Sequence, residues 1–321
     1  MNIEIAGATI VPGERRSLEI PVARLPTQTM VALPVTVVNG TETGPRLWLS
    51  AAIHGDEVNG VEIIRQVLEQ IQPLQLKGTL ITVPVVNVFG FIEQSRYLPD
   101  RRDLNRCFPG SPRGSLASRL AHLFMKEVIS RCTHGIDLHT ASDHRTNLPQ
   151  IRANLQDAET YRCAQAFGAP VLIQATTRDG SLRQAATQQG IPVLLYEAGE
   201  VLRFNTEAIE VGVRGILQVM ALLGMIQVDL PPTQVKPVEI SKSQWVRASR
   251  SGILRLQVTL GQKVDKKQLL GIISDAFGKT SIKVYAPCKG LVIGYTQNPL
   301  VSQGDGILHL AVLIDGDSAH L

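Results

Sequence analysis

The sequence contains few cysteines and no long apolar run. Its four cysteines are scattered without a Cys-x-x-Cys pair, a pattern that favours reduced thiols over a disulfide framework or a zinc knuckle. No apolar run approaches the length needed to span a membrane. The first residues, Met-Asn-Ile-Glu-Ile, lack the basic and apolar regions of a secretory signal. We therefore expect a cytoplasmic protein with no membrane partner.

Basic runs and aromatic residues are also scarce. The net charge is only +4, aromatic residues make up 4% of the chain, and basic residues do not alternate with aromatic ones, so nucleic acid is not an expected partner. The high aliphatic content suits α/β packing instead. The chain has 321 residues, which is enough for two domains and a substantial core.

Two kinds of pattern divide the chain. Strand-like and helix-like segments alternate up to about residue 230, which predicts an α/β domain with a mixed, mostly parallel sheet flanked by helices. Residues 229–237 are rich in proline and predict a linker. Short strand patterns with glycine turns follow, without a helix, and predict a small all-β barrel or sandwich. We place the domains at residues 1–230 and 238–321.

A strand, a tight turn and a helix surround His54 and Glu57. Residues 47–53 predict a buried strand and residues 58–71 an amphipathic helix. The two side chains therefore lie at the carboxyl edge of a sheet, where α/β proteins bind ligands. Imidazole nitrogen and carboxylate oxygen are both Zn²⁺ donors. The alternative is a capped helix, with an acidic residue favouring the helix dipole and an incidental histidine.

Two other predicted strands end in polar residues. His139 follows a strand at residues 135–138, and Glu197 follows one at residues 191–196. With His54 and Glu57, His139 completes a set of two imidazoles and one carboxylate, which leaves one zinc position for water. Glu197 is the candidate to take the proton of that water. Asp137 either orients a ligand imidazole or is a plain loop-edge aspartate.

Five motifs occur in one order between about residues 30 and 225. They are His54-Gly-Asp-Glu57, Ser95-Arg-Tyr-Leu-Pro-Asp, Asp103-Leu-Asn-Arg106 followed by Phe108-Pro-Gly, Asp137-Leu-His139, and Glu197-Ala-Gly. In these motifs the sequence resembles the succinylglutamate desuccinylase/aspartoacylase family, a branch of the zinc carboxypeptidase superfamily. The resemblance implies that His54, Glu57 and His139 hold one Zn²⁺ per chain and that Glu197 is the general base.

The same resemblance gives roles to the polar segment at residues 95–114. Asn105 and Arg106 fall on the pair that grips a substrate carboxylate, which suits the bidentate guanidinium group. Arg96 falls near the arginine that stabilises the developing oxyanion. Arg101 and Arg102 compete with it for that role, and a solvated basic loop is the alternative for all four arginines. Arg178 and Arg183 either contact a second anionic group of the substrate or lie on the surface.

The C-terminal segment resembles a biotinyl/lipoyl-type barrel-sandwich module. The tip that would carry a modified lysine reads Ser274-Asp-Ala-Phe-Gly-Lys279 and lacks the Met-Lys-Met or Asp-Lys-Ala surroundings of such carriers, so no swinging cofactor is expected. The family resemblance suggests that this domain narrows the active-site mouth or serves assembly. The oligomeric state stays open, with a homo-oligomer as one alternative.

The combined features predict a zinc-dependent hydrolase. It would cleave the amide bond of an N-acyl amino acid or a related small acylated amine, with a small anionic substrate as its partner. Two alternatives remain at this point. One is a metallocarboxypeptidase acting on peptides, and the other is a non-catalytic binding or assembly protein on the same fold.

Overall fold

The computed structural model describes residues 1–142, 144–227 and 236–313. The predicted linker at residues 229–237 lies outside the described residues except for Lys236 and Pro237, and so do residues 314–321 of the predicted C-terminal domain. Among the described residues, no helix combines the length and apolar character that crossing a membrane requires.

Strands and helices alternate in the first two thirds of the chain, and only strands follow in the last third that is described. The helices are α1 (Asn59–Gln70), α2 (Val88–Ile92), α3 (Leu116–Glu127), α4 (Ala158–Phe167), α5 (Leu182–Thr187) and α6 (Thr206–Leu222). The first ten strands are β1 (Ile3–Ile5), β2 (Ala8–Ile10), β3 (Glu14–Arg24), β4 (Met30–Asn39), β5 (Glu42–Ala51), β6 (Lys77–Val83), β7 (His134–His139), β8 (Arg145–Ala153), β9 (Val171–Gln174) and β10 (Val193–Gly199). The later strands are β11 (Val238–Ile240), β12 (Ser243–Arg247), β13 (Gly252–Leu256), β14 (Lys263–Val264), β15 (Leu269–Ser274), β16 (Ser281–Tyr285), β17 (Gly290–Thr296), β18 (Leu300–Val301) and β19 (Gly306–Val312).

One large mixed sheet organises the molecule. Its neighbouring strands run β12-β19-β17-β8-β10-β7-β5-β6-β4-β3, with β9 and β11 beyond β8 and β14 beside β17. Strands β6, β5, β7 and β10 form a parallel centre, whereas β3, β4 and β8 join it antiparallel. The predicted α/β class is confirmed, but the expectation of a mostly parallel sheet needs correction, because antiparallel strands flank the parallel centre on both sides.

The parallel strands are buried on both faces, as their apolar sequences require. Helices α1, α4 and α6 contribute to the apolar cluster on one face, and α3 and α5 to the cluster on the other. Helix α1 approaches the sheet closely at Gly60, where an added Cβ would lie 2.7 Å from the Cβ atoms of both Ala51 and Leu138. This contact fixes the start of α1 above the carboxyl ends of β5 and β7.

The C-terminal strands are joined to the large sheet at two places. Strand β11 pairs in parallel with β9, and β17 pairs antiparallel with β8. Strands β16, β15, β13 and β18 form a separate four-stranded sheet, and an apolar cluster lies between these strands and β17 and β19. Residues 236–313 contain no helix, in agreement with the all-β pattern of the sequence.

Candidate metal centre and its cavity

Tight backbone packing places His54 and Glu57 after strand β5. The amide of Glu57 donates to the carbonyl of His54 at 3.1 Å, which closes the turn. Between them, Gly55 lies against Gly90, and an added Cβ would be 1.9 Å from the Gly90 carbonyl carbon. Only glycine fits at that position. His139 ends β7, which runs parallel to β5, so the two histidines reach the same edge of the sheet.

His54, Glu57 and His139 form one buried group. Nδ1 of His54 lies 2.6 Å from Oε1 of Glu57, and Nδ1 of His139 lies 2.8 Å from Oε2. The exposed fractions of the three residues are 4%, 2% and 5%, and the ring centroids are 5.1 Å apart. One nitrogen of each ring and the carboxylate thus converge, so that this group could hold a metal ion.

Two further carboxylates hold the outer nitrogens of the rings. Nε2 of His139 lies 2.8 Å from Oδ2 of Asp137, whose Oδ1 accepts from Ser50 Oγ at 2.7 Å. Nε2 of His54 lies 3.3 Å from Oδ1 of Asp103. Carboxylates in such positions fix the tautomer and orientation of a metal-ligating imidazole. The sequence analysis gave this role to Asp137 as one of two alternatives and missed Asp103, whose only signal was its place in the Asp103-Leu-Asn-Arg106 motif.

Charge is concentrated in this group. Burial opposes the ionised carboxylate of Glu57, yet the two imidazoles hold its pKa well below the ordinary value. Burial likewise opposes a charged His139, but Asp137 and Glu57 raise the pKa of His139 well above its ordinary value. The group therefore has the ionised carboxylate of Glu57 between two imidazole rings. A divalent cation can replace the ring protons in such an arrangement, because metal binding to histidine releases protons.

A second group of potential ligands lies at the other end of β7. His134, Glu159 and Cys163 bring a nitrogen, an oxygen and a sulphur within 4.8 Å of one another. Arg162 donates to both oxygens of Glu159, at 2.9 and 2.7 Å. Burial, followed by the charge of Glu159, raises the pKa of Cys163 to about 12. Since thiolate is the form that binds metal, this group is an ion pair of Glu159 with Arg162 beside a protonated thiol.

Glu197 lies beside the candidate metal group. It is the register partner of His139 in the parallel pair β10–β7, so both side chains leave the sheet on the same face. Its Oε2 accepts from Nδ2 of Asn147 at 3.0 Å and lies 3.3 Å from Nε of Arg152. Both of these partners belong to β8, a strand that the sequence reasoning did not predict.

The arginines of the polar segment occupy different positions. Arg96 lines the cavity, donates to Asp103 at 2.9 Å and lies 3.6 Å from Glu57. Arg101 and Arg102 are exposed and are not among the cavity-lining residues. Of these three arginines, Arg96 is thus the one that lines the cavity.

Asn105 and Arg106 also line the cavity. Oδ1 of Asn105 accepts the backbone N–H of Leu182 at 2.9 Å, which ties the polar segment to the start of α5. Nη1 of Arg106 donates to the carbonyl of Asn105 at 2.6 Å. The side chain of Arg106 is otherwise exposed towards the cavity, in a position where it can meet an anion.

A cavity of about 780 Å³ opens above these residues. Two carboxylates, Glu57 and Glu197, face seven arginines in its lining. The arginines are Arg96, Arg106, Arg145, Arg152, Arg178, Arg183 and Arg247. This excess of positive charge, concentrated in a protein of small net charge, favours an anionic ligand.

C-terminal residues form part of the cavity wall. Trp245 and Arg247 of β12 line it. The Trp245 ring is stacked on His309 with centroids 4.5 Å apart, and the Arg145 guanidinium lies 4.9 Å from the Trp245 ring. Burial, with the charges of Arg152 and Arg145, lowers the pKa of His309 to about 4. His309 is therefore neutral near pH 7 and supports the tryptophan as a flat, uncharged surface.

Comparisons with known proteins agree with this arrangement. A family model described as the succinylglutamate desuccinylase/aspartoacylase catalytic domain matches residues 43–223. The chain is 27% identical over 298 residues to the N-alpha-acetyl-L-2,4-diaminobutyric acid deacetylase of Halomonas elongata, covering 89% of this chain and 87% of that protein.

Solved structures share the fold over nearly the whole chain. The crystal structure of a succinylglutamate desuccinylase/aspartoacylase from Rhodobacter sphaeroides superimposes with a TM-score of 0.82 at 27% identity and covers 92% of this chain and 95% of that one. The product-bound ectoine utilization protein EutE (DoeB) from Ruegeria pomeroyi gives a TM-score of 0.84 at 23% identity, covering 94% and 98%. The second of these supports the fold alone.

Proposed function

Because the chain belongs to the succinylglutamate desuccinylase/aspartoacylase family, we propose that it is a zinc-dependent deacylase. It would hydrolyse the amide bond of an N-acyl amino acid or a related small acylated amine, a carbon–nitrogen bond other than a peptide bond. The observation that carries this proposal is the convergence of His54, Glu57 and His139 at one point of the cavity, with Glu197 on the neighbouring strand.

The donor set fits zinc. His54, Glu57 and His139 would hold the ion, and two histidines with one carboxylate are a ligand set of catalytic zinc sites. The outer nitrogens of both rings already face carboxylates, as ligating histidines require. When bound, Zn²⁺ lowers the pKa of a coordinated water and polarises a carbonyl.

Glu197 would act as the general base. Its Oε2 is held by Asn147 and Arg152, and within the described part of the chain its Oε1 has no hydrogen bond or ion pair. Glu197 takes a proton from the attacking water as the new carbon–oxygen bond forms. It then gives that proton to the amide nitrogen as the carbon–nitrogen bond breaks. The products are a carboxylic acid and a free amine.

Three side chains would hold the substrate. Arg96 stabilises the carbonyl oxygen as it becomes negatively charged, and Arg106 with Asn105 binds a substrate carboxylate. Oδ1 of the Asn105 side chain already accepts from the backbone N–H of Leu182, so the side-chain NH₂ group is the part that can donate to the substrate.

The charge of the cavity favours an anionic substrate. Arg183 is only 7% exposed, and within the described residues its guanidinium donates only to the backbone carbonyls of Ala175 and Thr176. Among the described residues, no carboxylate lies within ion-pair distance of Arg183 or Arg178. A buried guanidinium without a counter-ion is costly, and a second anionic group on the substrate would relieve that cost. The Halomonas elongata relative is named for a substrate with an additional amine, which this cavity would disfavour.

We also propose the division into a hydrolase domain at residues 1–230, with a zinc-carboxypeptidase-like fold, and a barrel-sandwich domain at residues 238–321. The separate apolar cluster of the C-terminal strands supports it. Trp245 and Arg247 form part of the cavity wall, and this wall disfavours the alternative of a carboxypeptidase, which needs an open peptide groove. The alternative of a non-catalytic protein is disfavoured by the complete set of ligands, base and carboxylate-binding residues.

The test is release of free amine by the zinc-loaded protein from a panel with two classes of substrate. One class is N-acetyl-, N-formyl- and N-succinyl-amino acids, and the other is short peptides. For each acyl group, the panel includes the aspartate, the glutamate and the diaminobutyrate derivative, so that only the amino-acid part differs. We expect chelator-sensitive release, fastest with the dicarboxylic substrates. Release only from C-terminal residues of peptides would support the carboxypeptidase. No release from either class, with zinc bound, would overturn the enzymatic proposal.

A further inference from the structure

Asn147 lies where the two parts of the molecule meet. Strand β8 pairs with β10 on one side and with the C-terminal strand β17 on the other. The register partners of Asn147 are Gly199 on β10 and Gly294 on β17. Asn147 thus has a glycine opposite it on each neighbouring strand. Because glycine has no side chain, the Asn147 side chain, which is 7% exposed, fills the space between β10 and β17.

The amide of Asn147 selects one oxygen of the proposed base. Its Nδ2 donates to Oε2 of Glu197 at 3.0 Å, and Nε of Arg152 lies 3.3 Å from the same oxygen. Both contacts engage Oε2, so Oε1 is the oxygen left to accept a proton. A donor on Oε2 also stabilises the ionised carboxylate, which is the form a base needs.

The position of Asn147 depends in turn on Gly294. A Cβ added to Gly294 would lie 2.6 Å from Oδ1 of Asn147 and 3.1 Å from the carbonyl oxygen of Thr146. The nearest atom is the end of a side chain that can rotate, so a larger residue would push the amide aside at little cost to the fold. The absence of a side chain on β17 therefore keeps the Asn147 amide in contact with Glu197.

We propose that Asn147 is a positioning residue for Glu197 and that Gly294 of the C-terminal strand β17 sets the place of Asn147. The inference rests on the proposed role of Glu197 as the base. It gives the C-terminal strands a part in catalysis beyond walling the cavity, because they support the base through a single amide.

A double-mutant cycle on the zinc-loaded full chain tests this coupling. Asn147→Ala and Gly294→Ala should each lower kcat by about 10–100-fold, as expected for a misplaced catalytic group, with KM and zinc content unchanged. The double variant should be no slower than Asn147→Ala, because Gly294→Ala acts only through the amide. Asn147→Asp, which keeps the size but loses the donor, should be as slow as Asn147→Ala.

Gly271→Ala is the matched control. Gly271 lies in the separate four-stranded sheet, and its added Cβ would be 2.8 Å from the Arg255 carbonyl oxygen. This oxygen belongs to the backbone and cannot rotate away, so the packing disturbance is at least as large as at Gly294, without contact to Asn147. We expect its kcat to equal that of the wild type. Three results would each overturn the inference. The fold losses in kcat of Asn147→Ala and Gly294→Ala could multiply in the double variant. Asn147→Asp could keep the wild-type kcat, or Gly271→Ala could lose as much kcat as Gly294→Ala.

A second readout does not depend on turnover. Crystal structures of the wild type and of Gly294→Ala give the distance from Asn147 Nδ2 to Glu197 Oε2. In the variant this distance should exceed the hydrogen-bond range of about 3.2 Å, whereas the wild type should keep the hydrogen bond. An unchanged distance would contradict the role of Gly294. If the wild type cleaves no substrate of the panel, the proposed function fails, whereas this pair of structures still decides whether Gly294 positions Asn147.

Discussion

Strand β7 carries a histidine at each end, and the two histidines lie in contrasting surroundings. His139, at the carboxyl end, meets Glu57 and His54 in a group whose exposed fractions are 5% or less. His134, at the amino end, meets Glu159 and Cys163. Both groups bring three ligand atoms together, but the Glu159 side chain is 35% exposed and is paired with Arg162.

The difference shows which features distinguish a candidate metal site from an ordinary ion pair. Glu57 is buried with both oxygens directed at imidazole nitrogens, and Arg96, at 3.6 Å, is itself paired with Asp103. Glu159 already has a bidentate guanidinium partner, and such a pair satisfies both of its oxygens. Proximity of ligand atoms is thus insufficient, and the deciding features are burial and the absence of a dedicated cation.

The largest expected effect comes from removing a ligand at one end of β7. His139→Ala should lose zinc and lower kcat/KM by about 10³-fold or more, since a bound metal contributes several kcal/mol. Zinc content by mass spectrometry and amine release measure the two effects.

His134→Ala is the control for that variant, because it removes the histidine at the other end of the same strand. It should keep zinc content and turnover and cost at most about 1 kcal/mol of unfolding free energy, the value of a partly exposed ion pair. Equal zinc loss in His139→Ala and His134→Ala would contradict the account that the metal site lies at the carboxyl end of β7 and not at its amino end.

Glu197→Gln should give the next largest effect. The change keeps the shape of the side chain but removes its ability to accept a proton, so kcat should fall by about 10²–10⁴-fold, the usual contribution of a general base. Zinc content should equal that of the wild type. A zinc-loaded Glu197→Gln protein with full turnover would contradict the role of the base.

Asp137→Asn should have a smaller effect on zinc affinity. Asp137 holds Nε2 of His139 at 2.8 Å, and loss of such an outer carboxylate costs about 10–100-fold in metal affinity or activity. Competition with a chromogenic chelator measures the affinity. Thr133→Val, which removes the hydroxyl 2.9 Å from Nδ1 of His134, is the matched change at the other end and should leave the affinity unchanged.

The smallest effect concerns the thiol of the second group. With a pKa of about 12, Cys163 is protonated at pH 8, and its thiolate fraction is only about 10⁻⁴. The native protein should therefore leave Cys163 unlabelled by a thiol reagent, while half-buried Cys288 reacts. A second equivalent of zinc should change neither result. Zinc-dependent labelling of Cys163 would show that this group binds metal after all.

The sequence could predict the parts of the fold whose local pattern matches their final environment. The apolar stretches in β5, β7 and β10 lead up to His54, His139 and Glu197, so both the strands and the convergence of His54 and His139 were predictable. The all-β character of the C-terminal segment followed from its short strands and glycine turns in the same way.

The parts that were missed depend on tertiary contacts. Strand β8 contains a proline and polar residues that face the cavity, and it is held by pairing with β9, β10 and β17. Its Pro149 lies where the register with β10 shifts, which is where a strand tolerates proline. Asp103 reaches His54 only through the folding of a long polar segment. Asn147 therefore had no local signal, and the place of Asp103 in a motif did not reveal its contact with His54.

The central claim is that one zinc ion, held at the carboxyl end of β7, supports amide hydrolysis. The most direct measurement is titration of the metal-free protein with zinc while amine release from an acylated dicarboxylic amino acid is followed. The account predicts that activity rises linearly and stops at about one zinc per chain, and that His139→Ala stays inactive throughout. Full activity before zinc is added, or a plateau reached only at two zinc ions per chain, would contradict it.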